Sequence, residues 1–176
     1  MALSSCNEPG DDNGTGGNSI PWGEIKGNLN QVWDISRQPQ TVAVSDNALA
    51  QVLLPTLINM LNTIPEAEAY LFNENKSYSQ YWTSEQPNVP ETNLYKEDGT
   101  YVLNGKNLTL TYTDGQTGEI KTSEYQIVSL SDTQLVLYKD ILGMWGSLAA
   151  EIIAPFDKLG ITPKSAYKII TYTKSE

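Results

Sequence analysis

Alternation of apolar and polar residues, divided by turn residues, is the feature that most restricts how this chain can fold. The clearest case is Asn107–Thr113, where leucine and tyrosine alternate with asparagine and threonine. A two-residue period is that of a β-strand, because successive side chains leave opposite faces of the backbone. One apolar face and one polar face indicate an antiparallel sheet that is buried on one side and solvated on the other.

Similar patterns recur along the chain and predict a series of strands. The predicted strands lie at 31–36 (continued through 41–44), 69–72, 77–83, 107–113, 119–130, 134–139 and 165–173. Asp98-Gly99, Asn104-Gly105 and Asp114-Gly115 are predicted to form tight hairpin turns, because glycine accepts positive φ. With the short strands that these turns delimit, the count is about eight strands, joined consecutively as a meander.

Two segments have the period of a helix instead. Residues 46–63 carry apolar residues at helical spacing after a capping residue, Ser45 or Asp46, and Pro55 is expected to kink or split this helix. Residues 141–156 carry a second apolar stripe that includes Trp145. Each segment is expected to pack against the sheet, the first as a cover or lid.

Together these patterns predict a mainly β fold over residues 20–176. We expect a single antiparallel meander β-barrel of about eight strands, of lipocalin or calycin type, with two helical insertions. Closing the sheet removes its exposed edges. The interior of an eight-stranded barrel is just wide enough for side chains or for one small ligand.

Five short motifs follow one another between residues 98 and 138. They are a Gly-x-Tyr strand (99–101), an Asn-Gly turn (104–105), a Leu-x-Leu strand (108–110), a Tyr-x-Ile strand (125–127) and a second Leu-x-Leu strand (135–137). In this order they resemble the lipocalin-like, or calycin-like, β-barrel lipoproteins of gut Gram-negative bacteria. Lipocalins usually open with Gly-x-Trp, whereas Gly27 and Trp33 are six residues apart here, which leaves the register of the first strand open.

The first six residues carry a separate signal. Leu3-Ser4-Ser5-Cys6 resembles a bacterial lipobox, whose cysteine becomes the lipid-bearing first residue of the mature protein. A signal peptide also needs a basic stretch and roughly 7–15 apolar residues before the cut, so we expect that part to be missing from this sequence. We predict lipidation at Cys6. The alternative is a disordered tail with a buried or incidental cysteine.

The next segment, residues 7–19, reads NEPGDDNGTGGNS and has three acids, no base and no large apolar residue. Such a segment buries too little surface to offset its ordering entropy, so residues 1–19 are predicted to be a lipobox remnant and a flexible acidic tether. Acids soon after the cysteine also resemble the surface-export signals of some gut Gram-negative lipoproteins. We expect a cell-envelope protein that touches the outer membrane only through its lipid, and leave its exposure on the cell surface open.

Composition excludes several functions. The chain of 176 residues has 11 Lys and Arg against 21 Asp and Glu, a net charge of −10, and no histidine. Nucleic acid is not an expected partner, because phosphate binding needs a basic field. The missing histidine and the lone cysteine exclude a histidine-based triad and the common zinc sites. We predict no cofactor and no metal.

No nucleophile or phosphate-binding motif is present, and the protein is predicted not to be an enzyme. Paired carboxylates could hydrolyse a sugar bond, and the candidate pairs are Glu66 with Glu68 and Glu119 with Glu124. We expect these acids on a solvated surface, and keep a two-carboxylate enzyme as a third hypothesis.

Aromatic residues give the best indication of function, because Tyr and Trp bury area while keeping a polar group for amphipathic ligands. We predict a non-enzymatic, lipid-anchored protein that binds a small apolar or amphipathic molecule in the barrel. The residues predicted to line the ligand are Tyr78, Trp82, Leu108, Leu110 and Tyr112, with Trp145 near an opening. Core packing is the alternative role for each of them. The second hypothesis is a packed barrel whose outer surface binds a protein or a glycan.

Overall fold

The computed structural model describes residues 20, 22–83, 94–115, 117–144, 154, 156, 158–160 and 163–176. Within these residues the chain forms nine strands and one helix that is described over its whole length, and Ala154, Phe156 and Lys158 are also helical. In chain order they are β1 (Val32–Ile35), β2 (Gln40–Val44), α1 (Ala48–Asn62), β3 (Ala69–Phe72), β4 (Ser77–Thr83), β5 (Leu94–Asn104), β6 (Asn107–Thr113), β7 (Ile120–Leu130), β8 (Gln134–Asp140) and β9 (Ser165–Lys174).

The strands form one antiparallel sheet that closes into an eight-stranded barrel, as predicted. The order is β1-β3-β4-β5-β6-β7-β8-β9, and β9 pairs back with β1. β1 and β2 pair with opposite halves of β9: Trp33 is opposite Lys174, and Val42 is opposite Tyr167. They therefore behave as one interrupted strand, and closure leaves no long unpaired edge among the strands that the structure describes.

Inward-facing side chains form the main core, with fully buried aromatic rings in contact. Tyr70 stacks on Phe72 with ring centroids 5.4 Å apart, and Phe72 meets Tyr101 edge-on at 5.1 Å. Leu29, which precedes β1, joins this core, and its carbonyl oxygen accepts a hydrogen bond from Trp33 Nε1 at 2.9 Å. The Leu29 end of the barrel is therefore closed by apolar packing.

α1 packs at the opposite end, where β2 leads into it; we call this the helix end. Ala50, Leu57 and Leu61 of α1 are buried in a cluster that also contains Ala43 and Ala166. The predicted cap was wrong: Asn47, rather than Ser45 or Asp46, is the N-cap, because its side chain accepts hydrogen bonds from the amides of Leu49 and Ala50. Pro55 lies inside the helix and does not split it.

The predicted turn at Asp98-Gly99 was also wrong, because β5 runs straight through it. Gly99 pairs with Tyr78 on one side and with Tyr112 on the other. A Cβ atom at Gly99 would overlap the carbonyl of Thr111 and lie 2.7 Å from Tyr78 Cε1. This glycine is required by close packing, and not by a positive φ.

The predicted turn at Asn104-Gly105 is confirmed. Asn104 pairs with Asn107, which leaves Gly105 and Lys106 as a two-residue loop, and Gly105 has a φ of +59°. A positive φ at the first central position is the glycine position of a type II′ hairpin turn.

Several predictions fall on residues outside those described. They include Cys6 and the tether, as well as Trp145 and most of the second helical segment. The start of that segment, residues 141–144, is a turn in which Met144 N donates to the carbonyl oxygen of Ile141 at 3.1 Å. In the part of the chain that the structure describes, no helix is both long enough and apolar enough to cross a membrane.

Candidate functional site

The interior wall changes character towards the helix end of the barrel. Near Leu29 the wall is apolar, whereas the helix end carries polar, charged and half-buried aromatic side chains. They come from β4, β5, β6, β8, β9 and the segment between α1 and β3. The side chains that form this site are Glu66, Tyr78, Gln80, Trp82, Glu97, Tyr112, Lys139 and Lys168.

The structure brings five predicted lining residues to the inner wall. Tyr78, Leu108 and Leu110 are fully buried within the core cluster, while Trp82 and Tyr112 are partly buried and pack against it. Trp82 and Tyr112 thus keep accessible surface, whereas the two leucines have none. Ligand contact by these residues stays a prediction, and Trp145 lies outside the described residues.

Tyr78 carries an orphaned polar group. Its hydroxyl is buried and has no hydrogen-bond partner among the described residues. Burial, with Tyr112 and Glu97 nearby, raises the pKa of Tyr78, so the phenol stays protonated. A buried hydroxyl without a partner is destabilising, which makes it a ready donor or acceptor for a water molecule or a ligand.

Glu97 is held in place by three donors. Gln80 Nε2 donates to its Oε2 at 2.8 Å, and the Tyr95 hydroxyl and the Gly115 amide donate to its Oε1 at 3.0 and 3.2 Å. Neither Gln80 nor Glu97 was among the residues predicted from the sequence to line the barrel. A signal was present, since Gln80 lies between Tyr78 and Trp82 on a face that is otherwise aromatic.

A second charged group lies on the β8–β9 wall. Lys139 and Lys168 are register partners on these strands, and both reach Glu66, with Nζ–oxygen distances of 2.9 and 3.1 Å. Lys168 Nζ also donates to the carbonyl oxygen of Ile64 at 2.8 Å. Burial lowers the pKa of Lys168, while Glu66 opposes that shift. The expectation that Glu66 is solvated was wrong, because two inward lysines draw it into the barrel.

Three buried tyrosines surround this group. The hydroxyls of Tyr70 and Tyr125 are 3.4 Å apart, and the Tyr172 hydroxyl donates to the carbonyl oxygen of Ala67 at 3.0 Å. Burial raises the pKa of all three tyrosines well above the ordinary value. They are neutral at physiological pH and contribute hydroxyl groups to an otherwise apolar wall.

The described residues provide no metal site, since no three of their His, Cys, Asp or Glu side chains cluster closely enough. The two interior carboxylates lie on different walls, with Glu97 on β5 and Glu66 beside β8 and β9. Glu119 and Glu124 are exposed. The helix end thus combines partly exposed aromatic surface with a few fixed polar groups, a composition common in ligand pockets.

A groove of about 630 Å³ also lies on the outer face of the sheet. The Tyr138 ring at its edge packs against Tyr167 and Trp22, with centroid distances of 5.2 and 5.9 Å. The groove is lined by Val102, Asn104, Asn107, Thr109, Glu124, Tyr125, Gln126, Tyr138 and Asp140.

A family model described as a lipocalin-like domain matches residues 30–137, from just before β1 to within β8. The chain belongs to this family. No curated protein matches the chain. This match confirms that the motifs at residues 99–137 are those of a lipocalin-like barrel. Lipocalin-like barrels are in general binding folds rather than enzymes, and this one has its polar and aromatic interior at the helix end.

Proposed function

We propose that this lipocalin-like domain is a lipid-anchored envelope protein that binds a small apolar or amphipathic molecule inside the barrel, without catalysing a reaction. The observation that carries the proposal is the orphaned Tyr78 hydroxyl, which lies near Tyr112 and shares the inner face of β4 with the half-buried Trp82 ring. The rings offer apolar surface to a ligand, and the hydroxyl offers one hydrogen bond that the described residues leave unmade.

A neutral fluorescent amphipath tests this proposal. N-phenyl-1-naphthylamine brightens in apolar surroundings, and we expect it to bind the purified protein saturably, at one molecule per chain. Trp82→Ala should weaken that binding about tenfold, because an aromatic side chain contributes roughly 1–2 kcal/mol of contact in such a pocket.

Trp22→Ala is the matched control. Trp22 is 47% exposed and packs on Tyr138 outside the barrel, so its loss should leave the affinity for the dye unchanged. The proposal fails if the wild-type protein gives no saturable signal, or if the two tryptophan variants weaken the binding equally.

We also propose that Cys6 carries a lipid that holds the domain on the outer membrane. The support is the sequence Leu3-Ser4-Ser5-Cys6 followed by an acidic segment without large apolar residues. Expressed behind a complete lipoprotein signal peptide, the protein should incorporate an alkyne-labelled palmitate and sediment with outer membranes. Cys6→Ala should abolish both results. Labelling that persists in this variant would contradict the anchor.

A second candidate function is recognition of a glycan on the outer groove. The supporting observation is the lining itself, in which amide, hydroxyl and carboxylate groups meet the Tyr138 ring. Tyr138→Ala should then abolish binding of neutral oligosaccharides while the interior dye binds as before. If Tyr138→Ala leaves oligosaccharide binding intact, or if the wild type binds none, this candidate is discarded.

A further inference from the structure

On the β8–β9 wall of the helix end, positive charges outnumber negative charges, because two lysines share one carboxylate. In the side chains of Lys168 and Glu66 only 2% of the surface is exposed, and in that of Lys139 it is 12%. Among the described residues no other carboxylate bonds to either lysine. The group therefore carries a net charge of +1 when all three side chains are ionised.

Lysine is almost never fully buried unless it is paired, because the ammonium ion loses its hydration. This chain has only 11 basic residues and a net charge of −10, and it directs two of the 11 into the barrel. Their register pairing across β8 and β9 brings two like charges together on one wall.

Both lysines bind Glu66, and Lys168 has a further partner. Lys139 Nζ lies 3.1 and 2.9 Å from the two Glu66 oxygens, while Lys168 Nζ donates to one of them and to the carbonyl oxygen of Ile64. One carboxylate cannot neutralise both ammonium groups. Lys139 is the more accessible of the two, with 12% of its side chain exposed, and its ammonium lies 5.4 Å from the centre of the Tyr125 ring.

Glu97 does not balance the surplus. Its carboxylate accepts from Gln80 on β4, from Tyr95 on β5 and from the amide of Gly115, which follows β6. In a ring of eight strands with the order observed here, β5 lies opposite β9. The interior therefore has an acidic wall and a basic wall, with Trp82 and Tyr112 in the same end of the barrel.

We propose that the ligand of this barrel is an amphipathic anion whose acidic head binds at Lys139, beside Lys168, and whose apolar part contacts Trp82 and Tyr112. The inference rests on the proposed function, because it specifies the ligand class of the same site. A single negative charge on the ligand at Lys139 would make the group of Lys139, Lys168 and Glu66 neutral overall. In buried surroundings such a charge-assisted hydrogen bond is strong.

The test compares two molecules that differ only in the head group, decanoate and decan-1-ol, as competitors of bound N-phenyl-1-naphthylamine at neutral pH. The wild-type protein should bind decanoate about tenfold more tightly than the alcohol, an effect typical of one charge-assisted contact. Lys139→Met should reduce this preference to about twofold or less, with the affinity for the alcohol unchanged. Lys139→Arg should restore part of it.

Lys164→Met is the matched control, because it removes the same charge from an exposed site where the partner is Asp46. It should keep the wild-type preference. A merely structural Lys139 would change thermal stability in its variant and leave the ratio of the two affinities intact.

Two failures are distinguishable. If the wild-type protein binds neither the dye nor the competitors, the proposed function falls. If it binds the dye but shows no preference for decanoate, or if Lys139→Met keeps the preference, only the anionic ligand is refuted. Should Lys139→Met fail to fold, the wild-type preference, together with its loss in Lys139→Gln, decides the question.

Discussion

Tyr78 and Gly99 are register partners on β4 and β5, and the tyrosine ring covers the position where a side chain of Gly99 would begin. Because Gly99 has no Cβ atom, the Tyr78 ring can approach the backbone of β5 closely. The glycine thus has a packing role within the site itself.

Gly99→Ala should destabilise the protein by about 1–3 kcal/mol, the usual cost of forcing a methyl group into a filled core. The overlap is with a backbone carbonyl, Thr111 O, which cannot rotate away as a side chain can. Urea unfolding measures the change. Thr100→Ala, at the exposed neighbour, should stay within about 0.5 kcal/mol of wild type. Equal stabilities for Gly99→Ala and wild type would contradict the packing described for this glycine.

Tyr78→Phe should raise the free energy of unfolding of the ligand-free protein by about 1 kcal/mol, because it removes a buried hydroxyl that has no described partner. Tyr101→Phe is the matched comparison. The Tyr101 hydroxyl lies 2.6 Å from Asn30 Oδ1 and 3.1 Å from Asn73 O, so its loss should cost about 1–2 kcal/mol. If both variants are destabilised alike, Tyr78 has a partner after all.

Glu66→Gln should destabilise the protein strongly, by about 3–5 kcal/mol, because it leaves two buried ammonium groups without their shared counter-charge. Chemical denaturation at neutral pH gives the value. Glu124→Gln, at an exposed position on β7, should change stability by less than about 0.5 kcal/mol. A mild effect of Glu66→Gln would mean that the two lysines are not charged in the folded protein.

Alkaline pH should unfold the protein steeply. In the folded state the pKa values of Tyr70, Tyr125 and Tyr172 lie well above 10.0, whereas in the unfolded chain these tyrosines ionise near 10.0. Above pH 10 the unfolded chain therefore binds fewer protons than the folded protein, and stability falls by about 1.4 kcal/mol per pH unit for each group. Lys168 contributes in the opposite direction, because its pKa is lowered in the folded protein. Its contribution makes stability rise with pH only from that lowered pKa up to about 10.5, where the unfolded chain also loses the proton.

Tyr172→Phe removes one tyrosine whose pKa is raised and should make the pH dependence shallower by about 1.4 kcal/mol per pH unit. The tyrosinate absorbance that this variant lacks should appear in the wild-type protein only as the near-ultraviolet circular dichroism is lost, since the buried ring ionises on unfolding. Its appearance while the dichroism is still native would contradict the burial of the Tyr172 hydroxyl.

Local patterning was sufficient for much of this fold. The alternation over Asn107–Thr113 and Ser77–Thr83 predicted both strands with their observed bounds and placed Tyr78 and Trp82 on one face. The Asn104-Gly105 turn followed from glycine's access to positive φ. These features depend on neighbours along the chain, so the sequence carries them directly.

Positions that depend on distant partners could not be predicted in this way. Asp98-Gly99 has the sequence of a turn, and it became part of β5 because Tyr78 and Thr111 pack against it. Glu66 has the setting of a surface acid and is buried through contacts with residues 73 and 102 positions away.

The sequence by itself determined most of the strands, their inward faces and the lipocalin-like character of the chain, but not the continuous course of β5 through Asp98-Gly99. Only the tertiary structure decided which polar groups meet inside the barrel, namely Gln80 with Glu97 and Glu66 with the two lysines. The physical reason is that a two-residue period specifies which face a side chain takes. Closure of the barrel then decides which distant side chain it meets.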